Sequence, residues 1–244
     1  MLKNSTSVMA NKYHNCKTND EIADAVFLLY PDLPDNQPIA YVSNLWYFYG
    51  LPFYIDENVL VPRFDTEVLV DTAWDALKSM SQAKVLDLCT GSGCIAVVLA
   101  KRGINVTASD ISDKALIVAR KNAKMHDVNV DFIQSDLFEN IDGVFDVIVS
   151  NPPYIKTSEI GKDDKSILSE PRIALDGGVD GLDVYRKIAN QAQKYLVDGG
   201  KLVLEIGCKQ ANDVKTILQN QGFGDIKIIK DTMGQDRVVI CRKN

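Results

Sequence analysis

Long apolar runs are missing from these 244 residues: no stretch can cross a bilayer, and no basic-then-apolar leader opens the chain. This reading excludes the membrane and makes the cytoplasm the expected compartment. Basic charge is also scarce. Lys and Arg number 27 against 33 Asp and Glu, a formal net charge of -6, so no global positive field gathers nucleic acid. The chain has two histidines, His14 and His126. Each stands alone and reads as a solvated or helix-end residue, not a metal ligand. The five cysteines, Cys16, Cys89, Cys94, Cys208 and Cys241, are odd in number and form no CxxC pair. Neither a zinc site nor a disulfide framework follows from them. Repeats and low-complexity segments are absent too. What remains is an ordinary globular composition, 46% hydrophobic and 25% charged. Such a chain builds one large domain, or one domain with a small appendage, around a core of normal size. A monomer is the expected state.

Residues 1–19 are polar and irregular, a loose terminus. The run 20–30 (DEIADAVFLLY) has helical apolar spacing, with Asp20 as N-cap. Pro31, Pro34 and Pro38 punctuate a linker, and the aromatic run 41–55 reads as a β-hairpin about Gly50 or Pro52. Packing explains those aromatics better than substrate contact. A helix over 65–79 follows, capped by Asp65 or Thr66, with Glu67 in its first turn. From there strands and helices alternate. Strands are expected over 84–88, 105–110, 130–135, 145–150, 201–206, 225–230 and 237–242, and helices over 93–101, 113–126, 182–196 and 211–221. Alternation of this kind gives a mainly parallel sheet covered on both faces. The last two strands are joined only by DTMGQD, too short for a parallel crossover, so that pair is antiparallel. The expected fold is α/β and Rossmann-like: a seven-stranded, mainly parallel sheet with a terminal antiparallel strand. Residues 1–40 form a short helical segment, 41–62 a hairpin linker and 63–244 the main domain.

In such sheets ligands sit at the carboxyl ends of the strands. Three strand ends here carry suggestive residues. After Asp87 the loop Cys89-Thr90-Gly91-Ser92-Gly93 allows a tight turn and a close backbone approach. Asp110, about 20 residues on, offers a carboxylate to two ribose hydroxyls. Asp136 and Leu137 are placed for an adenine, the acid for its amine and the aliphatic chain for its ring. Any one of these has a bland explanation as turn, cap or loop residue; all three in order point to an adenosine-containing ligand. The loop alone does not separate NAD from S-adenosylmethionine. The antiparallel ending, and the tail of the fourth strand, favour the latter.

That tail is Ser150-Asn151-Pro152-Pro153-Tyr154. Two prolines stiffen the backbone and forbid further strand pairing. The Asn151 side-chain oxygen and the Pro152 carbonyl can then face one spot, and both are acceptors. Their complement is a planar group with two donors, an amide or aromatic –NH2, with the Tyr154 ring lying against it. Two acceptors return electron density to a poorly nucleophilic amide nitrogen and hold it in line with a methyl donor. The scheme requires no titratable base, metal or covalent nucleophile.

Over about residues 37–242 the sequence resembles the HemK/PrmC class of protein-(glutamine-N5) methyltransferases. The resemblance is carried by QPIAYV, VLVPRFDTE, VLDLCTGSGCIA, DISDKAL, SDLF, FDVIVSNPPYI, EPRIALDGGVDGLDVYRKI, LEIG and DTMGQDRVV. It implies S-adenosylmethionine as cofactor, S-adenosylhomocysteine as product, and the Gly-Gly-Gln glutamine of a peptide chain release factor as substrate. The implied cofactor set is Asp87, Cys89, Thr90, Gly91, Ser92, Gly93, Asp110, Ile111, Asp136, Leu137 and Asn151. The implied substrate set is Asn151, Pro152, Pro153 and Tyr154, with catalysis by Asn151, Pro152 and Tyr154. Arg63 and Glu67 are expected to border the pocket.

Three departures stand out. Cys89 replaces the family's first loop glycine, which requires an ordinary backbone conformation at that position. Leu137 replaces a bulkier residue, so adenine stacking becomes aliphatic packing. Only about 36 residues precede QPIAYV, where the family has a larger helical domain that docks the release factor. Alternatives are a DNA or RNA adenine methyltransferase using the same Asn-Pro-Pro-Tyr, which would need a basic phosphate track, a cofactor-binding module without activity, and a dehydrogenase. The polar run 156–170 reads either as a solvated loop or as a flap over substrate. Gly177, Gly178 and Gly181 suggest a turn before the next helix.

Overall fold

Short apolar runs such as KVLDL, FDVIVS and KLVLEI, bounded by turn residues, become strands buried on both faces, as parallel strands between helix layers must be. In the computed structural model, which describes residues 16–34, 37–162 and 165–244, they form one seven-stranded sheet. Its members are β3 (Lys84–Leu88), β4 (Asn105–Asp110), β5 (Asp131–Gln134), β6 (Phe145–Ser150), β7 (Leu196–Glu205), β8 (Phe223–Lys230) and β9 (Asp236–Lys243), in the order β5-β4-β3-β6-β7-β9-β8. Strands β3 to β7 pair in parallel. β9 runs antiparallel to both β7 and β8. The chain's last strand is thus the antiparallel one, as its short connection demands, but it inserts between β7 and β8 and leaves β8 at the edge. The loose-terminus expectation for residues 1–15, and His14 with it, lies outside the described residues.

Period-two alternation sorts side chains between two cores. Val85, Val147, Val149 and Val203 turn to one face and pack with α3 (Thr66–Leu77) and α4 (Cys94–Lys101). Leu86, Leu88, Ile148, Leu202 and Leu204 turn to the other, against α6 (Asp183–Tyr195) and α7 (Ala211–Asn220). The remaining helices are α1 (Asn19–Leu29), α2 (Ile39–Ser43) and α5 (Asp113–Met125).

Several local expectations are corrected. Residues 41–43 belong to the short helix α2, and the hairpin is confined to β1 (Trp46–Phe48) and β2 (Leu51–Phe53). Its two-residue turn, Tyr49-Gly50, has φ of 55° and 69°, the mirror-image turn whose twist suits a hairpin. Glu67 makes this affordable for a tyrosine: its Oε1 accepts from the Tyr49 amide at 2.7 Å. Phe48 and Phe53 are fully buried in the α3–α4 core, in line with a packing role. The N-cap of α1 is Thr18, which accepts from Glu21, not Asp20; that of α5 is Ser112. Asp65 occupies the N-cap position of α3 without a side-chain capping bond. β7 begins at Leu196, directly where α6 ends, five residues earlier than the apolar run suggests.

Candidate active site

The cleft opens at the carboxyl ends of β3, β4, β5 and β6, where the parallel strands release their loops. Cys89, Thr90, Gly91 and Ser92 line it from the loop after β3. The loop is held from several sides. Thr90 N donates to Ser109 O at 2.9 Å, and Gly93 N to Thr90 O at 2.9 Å. Asp87 lies beneath, fully buried and away from the cleft lining. Its Oδ2 accepts from Thr90 Oγ1 at 2.6 Å. Burial, with Asp110 adding repulsion, pushes its carboxyl up to about 7 against the pull of Thr90. Gly93 also lies outside the lining, and its need for glycine is steric: φ is +77°, and an added Cβ would sit 2.9 Å from Ala119 Cβ.

Cys89 corrects an expectation. Its φ is 57°, so this position takes the left-handed conformation and not an ordinary one. A non-glycine residue there costs roughly 1–2 kcal/mol, a strain that the fixed loop around it sustains. Leu137 has φ of 51° as well.

Asp110 ends β4 facing the cleft. Its Oδ2 accepts from Gly91 N at 2.9 Å and its Oδ1 from Ser112 N at 2.9 Å. Burial raises its pKa while the Ser112, Gly91 and Ile111 amides oppose the rise. A carboxylate so oriented keeps lone pairs for a diol. Ile111, Asp136 and Leu137 line the same cleft; Leu137 is buried, Asp136 and Ile111 are exposed. A carboxylate for ribose, an aliphatic surface for a base and an open glycine edge together fit an adenosine-containing group.

Asn151 and Pro153 line the cleft beside this loop, while Pro152 is buried and Tyr154 stands behind. Asn151 Nδ2 donates to Thr66 Oγ1 at 3.2 Å. The amide nitrogen is thereby engaged, and Oδ1 is left as an acceptor. Tyr154 is fixed by its hydroxyl to Glu205 Oε1 at 3.4 Å and by its carbonyl, which accepts from Gln210 Nε2 at 3.0 Å. The glycine-rich turn predicted before α6 has a use here: a Cβ on Gly177 would meet Tyr154 Cα at 2.7 Å, so glycine lets this segment lie against the motif.

Arg63 borders the cleft as expected, and Glu67 does not. Arg63 Nη2 pairs with Glu170 Oε1 at 2.7 Å. This contact pins the end of the 156–170 run to the cleft wall, and Pro171, Ile173, Ala174 and Asp176 extend that wall. His126 caps the end of α5, with Nε2 2.6 Å from Pro52 O.

Three polar residues of the site were not singled out for it by sequence reasoning. Thr66 reads as a helix cap. Glu205 closes an apolar strand, KLVLE, and is fully buried; a lone carboxylate in such a run is the signal that could have exposed it. Burial raises it to about 7, although the Thr66 hydroxyl and Arg237 hold it down. Asn122 sits among apolar neighbours of α5. It donates to Tyr54 O and Ser92 O at 3.0 and 2.9 Å and accepts from Tyr54 N at 2.7 Å. It ties the segment after the hairpin to the cofactor loop.

Among the described residues no helix is long and apolar enough to cross a membrane, and no His/Cys/Asp/Glu group is spaced to hold a metal.

The family described as the methyltransferase small domain matches residues 64–168. Among solved structures, a methyltransferase from Pyrococcus furiosus is similar with a TM-score of 0.60 at 23% identity, over 91% of this chain and 98% of that one. A 16S rRNA N2 G1207 methyltransferase from T. thermophilus, in complex with AdoMet and guanosine, is similar with a TM-score of 0.59 at 19% identity, over 82% and 50%. These two likenesses concern the fold. Sequence similarity is closer to release factor glutamine methyltransferases. That of Fusobacterium nucleatum is 41% identical over 85% of this chain, which spans only 60% of that relative. Those of Thermodesulfovibrio yellowstonii and Lactococcus lactis are 40% and 43% identical, each over 85% of this chain, which covers 77% and 78% of them. The chain is an S-adenosylmethionine-dependent methyltransferase, and it belongs to the release factor glutamine methyltransferase family.

Proposed function

We propose that this chain methylates the side-chain amide nitrogen of a glutamine in a peptide chain release factor, the Gly-Gly-Gln glutamine being the target. One observation carries the reading: the Asn151 amide is engaged through Nδ2 with Thr66, so its oxygen is the atom offered to an incoming –NH2. With the Pro152 carbonyl it makes a pair of acceptors that a carboxylate or an ester oxygen cannot satisfy. A site built on such bonds rejects analogues lacking the donors by about 10⁴ or more.

S-adenosylmethionine supplies an electrophilic methyl. The residues of the chain do the rest. Asp110 binds the ribose hydroxyls, Asp136 and Leu137 take the adenine, and the Cys89–Gly93 loop with Asp87 beneath it and Ile111 beside it shapes the cradle. Asn151 and Pro152 hold the glutamine nitrogen and draw density toward it, with Pro153 and Tyr154 completing the slot. Held in that slot, the glutamine nitrogen would take up the methyl that bound S-adenosylmethionine would supply, and the proton it gives up would pass to solvent. Residues 63–244 are the catalytic unit in this reading, preceded by the hairpin region and the N-terminal helix.

The test incubates the protein with a release factor and methyl-labelled S-adenosylmethionine and maps the label by peptide mass spectrometry. The expected product carries one methyl on the Gly-Gly-Gln glutamine. An unmodified glutamine, under conditions where calorimetry shows the cofactor bound, would remove this substrate. Label appearing instead on added DNA or RNA, with a yield falling steeply with salt, would favour adenine methylation.

A further inference from the structure

A strand that runs into Pro152 and Pro153 gives up the means of holding itself. Neither proline has an N–H to donate, so the turn beyond β6 lacks the ladder bonds that keep β6 in register. The substrate slot nevertheless needs that turn in one place, because the Pro152 carbonyl and the Tyr154 ring both belong to it. A tie from outside the motif has to fix it.

Gln210 supplies such a tie. Its Nε2 donates to Tyr154 O at 3.0 Å and to Gly181 O at 3.1 Å, and its Oε1 accepts from Gly207 N at 3.0 Å. One half-buried side chain thus joins three segments: the motif after β6, the glycine turn before α6 and the loop after β7. A glutamine amide suits the task, since it carries two donors and an acceptor on one planar group. Gln210 also occupies the N-cap position of α7, yet its side chain makes no capping bond there. It is directed at the motif instead.

The three segments meet closely enough to demand glycine. A Cβ on Gly181 would lie 2.5 Å from Tyr154 O and 2.8 Å from Gln210 Nε2. One on Gly207 would lie 2.8 Å from Gln210 Oε1 and 3.5 Å from Tyr154 Cδ2. Beyond Tyr154 the chain is bridged again, with Ile155 N donating to Leu175 O at 2.9 Å and Gly177 N to Ile155 O at 2.8 Å. Between the end of β6 and this bridge, Gln210 holds the main chain of the motif.

We infer that Gln210 is a positioning residue for methyl transfer: it anchors the Tyr154 main chain, and through it keeps the slot of Pro152, Pro153 and Tyr154 aligned with the methyl donor. Gln210 lies outside the cleft lining, so it acts through Tyr154. The inference rests on the reading that this slot receives the substrate –NH2. Transfer depends steeply on alignment, and a displacement of about 1 Å costs about 10²-fold in rate. The cofactor is held elsewhere in the cleft, by the loop after β3 and by Asp110, so its affinity is independent of this tie.

The experiment measures kcat and KM for release factor methylation in wild type, Gln210→Met, Gly207→Ala and Val214→Ala. Cofactor affinity by calorimetry and urea midpoints check folding. Methionine fills the space of Gln210 without its bonds. Gln210→Met should lower kcat by about 10- to 100-fold, with KM changed far less and cofactor affinity unchanged. Gly207→Ala keeps Gln210 but drives the flexible end of its side chain aside, at a backbone conformation outside the left-handed region. It should lower kcat in the same direction with a midpoint near that of wild type. Val214→Ala opens a cavity under α7, away from the motif, and should lower the midpoint without lowering kcat. Wild-type kcat in Gln210→Met, or a kcat that falls as far in Val214→Ala, would overturn the inference while leaving the substrate assignment intact. Should Gln210→Met fail to fold, wild-type kcat in Gly207→Ala would overturn it alone. Wild-type protein that binds cofactor but never methylates the glutamine would overturn that assignment, and this inference with it.

Discussion

At Gly93 a hydrogen stands where any other residue would carry carbon. The left-handed φ and the 2.9 Å approach to Ala119 Cβ leave no room for a methyl, because Ala119 lies on α5 and Gly93 begins α4. Gly93→Ala should destabilise the protein by about 2 kcal/mol or more, combining backbone strain with overpacking. Chemical denaturation would show a lower midpoint with unchanged slope, and an unshifted midpoint would mean the helices separate freely. Asn151 belongs to the same scale but to a different energy. Its removal costs little in stability, since it is half-buried and makes one side-chain bond. Asn151→Ala should lower turnover by about 10²-fold or more, as losing one preorganised hydrogen-bonding group does. Single-turnover methyl transfer at saturating cofactor is the measurement. A variant with full turnover and retained cofactor binding would remove Asn151 from the chemistry.

The hairpin and the cofactor loop are joined as elements, and Asn122 is the joint. Its amide satisfies Tyr54 N, Tyr54 O and Ser92 O at once, all in a buried setting. Asn122→Ala leaves three backbone groups without that partner. At about 1 kcal/mol or more for each unsatisfied group, the variant should lose about 3 kcal/mol, and S-adenosylmethionine should bind more weakly because Ser92 lines the cleft. Urea unfolding and calorimetry read the two effects separately; a loss of stability with unchanged cofactor affinity would show that the hairpin contact does not reach the loop. The aromatic run was legible as a hairpin, but its first three residues form helix because Pro38 fixes the N-terminal end of α2 and Asn44, at φ 53°, ends it in the left-handed conformation. Apolar pattern alone does not separate such short elements.

For the molecule as a whole, two buried carboxyls link stability to pH. Asp87 and Glu205 both lie near 7 in the folded protein, against ordinary values of 3.8 and 4.5. The folded chain therefore holds more protons than the unfolded chain between those limits. This contribution to stability is complete below the unfolded values and is lost as pH rises through about 7. Asp176 and Asp180, lowered chiefly by bonds from Thr157 and Arg186, act in the opposite direction, but both are partly open to solvent and so screened. Thermal midpoints should thus fall between about pH 5 and about pH 8 in wild type, and fall less in Asp87→Asn, where the titrating group is gone. Parallel curves for the two proteins would show that Asp87 does not titrate in this range.

By itself the sequence determined the order of strands and helices, the parallel sheet with its antiparallel final strand, and the residue types at each strand end. It could do so because burial imposes a period on the chain, and because glycine and proline limit the backbone locally. It also indicated that a flat –NH2 would be bound, since Asn-Pro-Pro-Tyr follows an apolar strand. What only the tertiary structure decided is which way the Asn151 amide faces, what stands beneath it, and how Cys89 tolerates a glycine's conformation. Thr66 and Glu205 lie 85 and 54 positions from Asn151 in opposite directions along the chain. Only the packing of α3 over the ends of β6 and β7 brings Thr66 to Asn151 and Glu205 to Tyr154, and no local pattern encodes hydrogen bonds between segments so far apart.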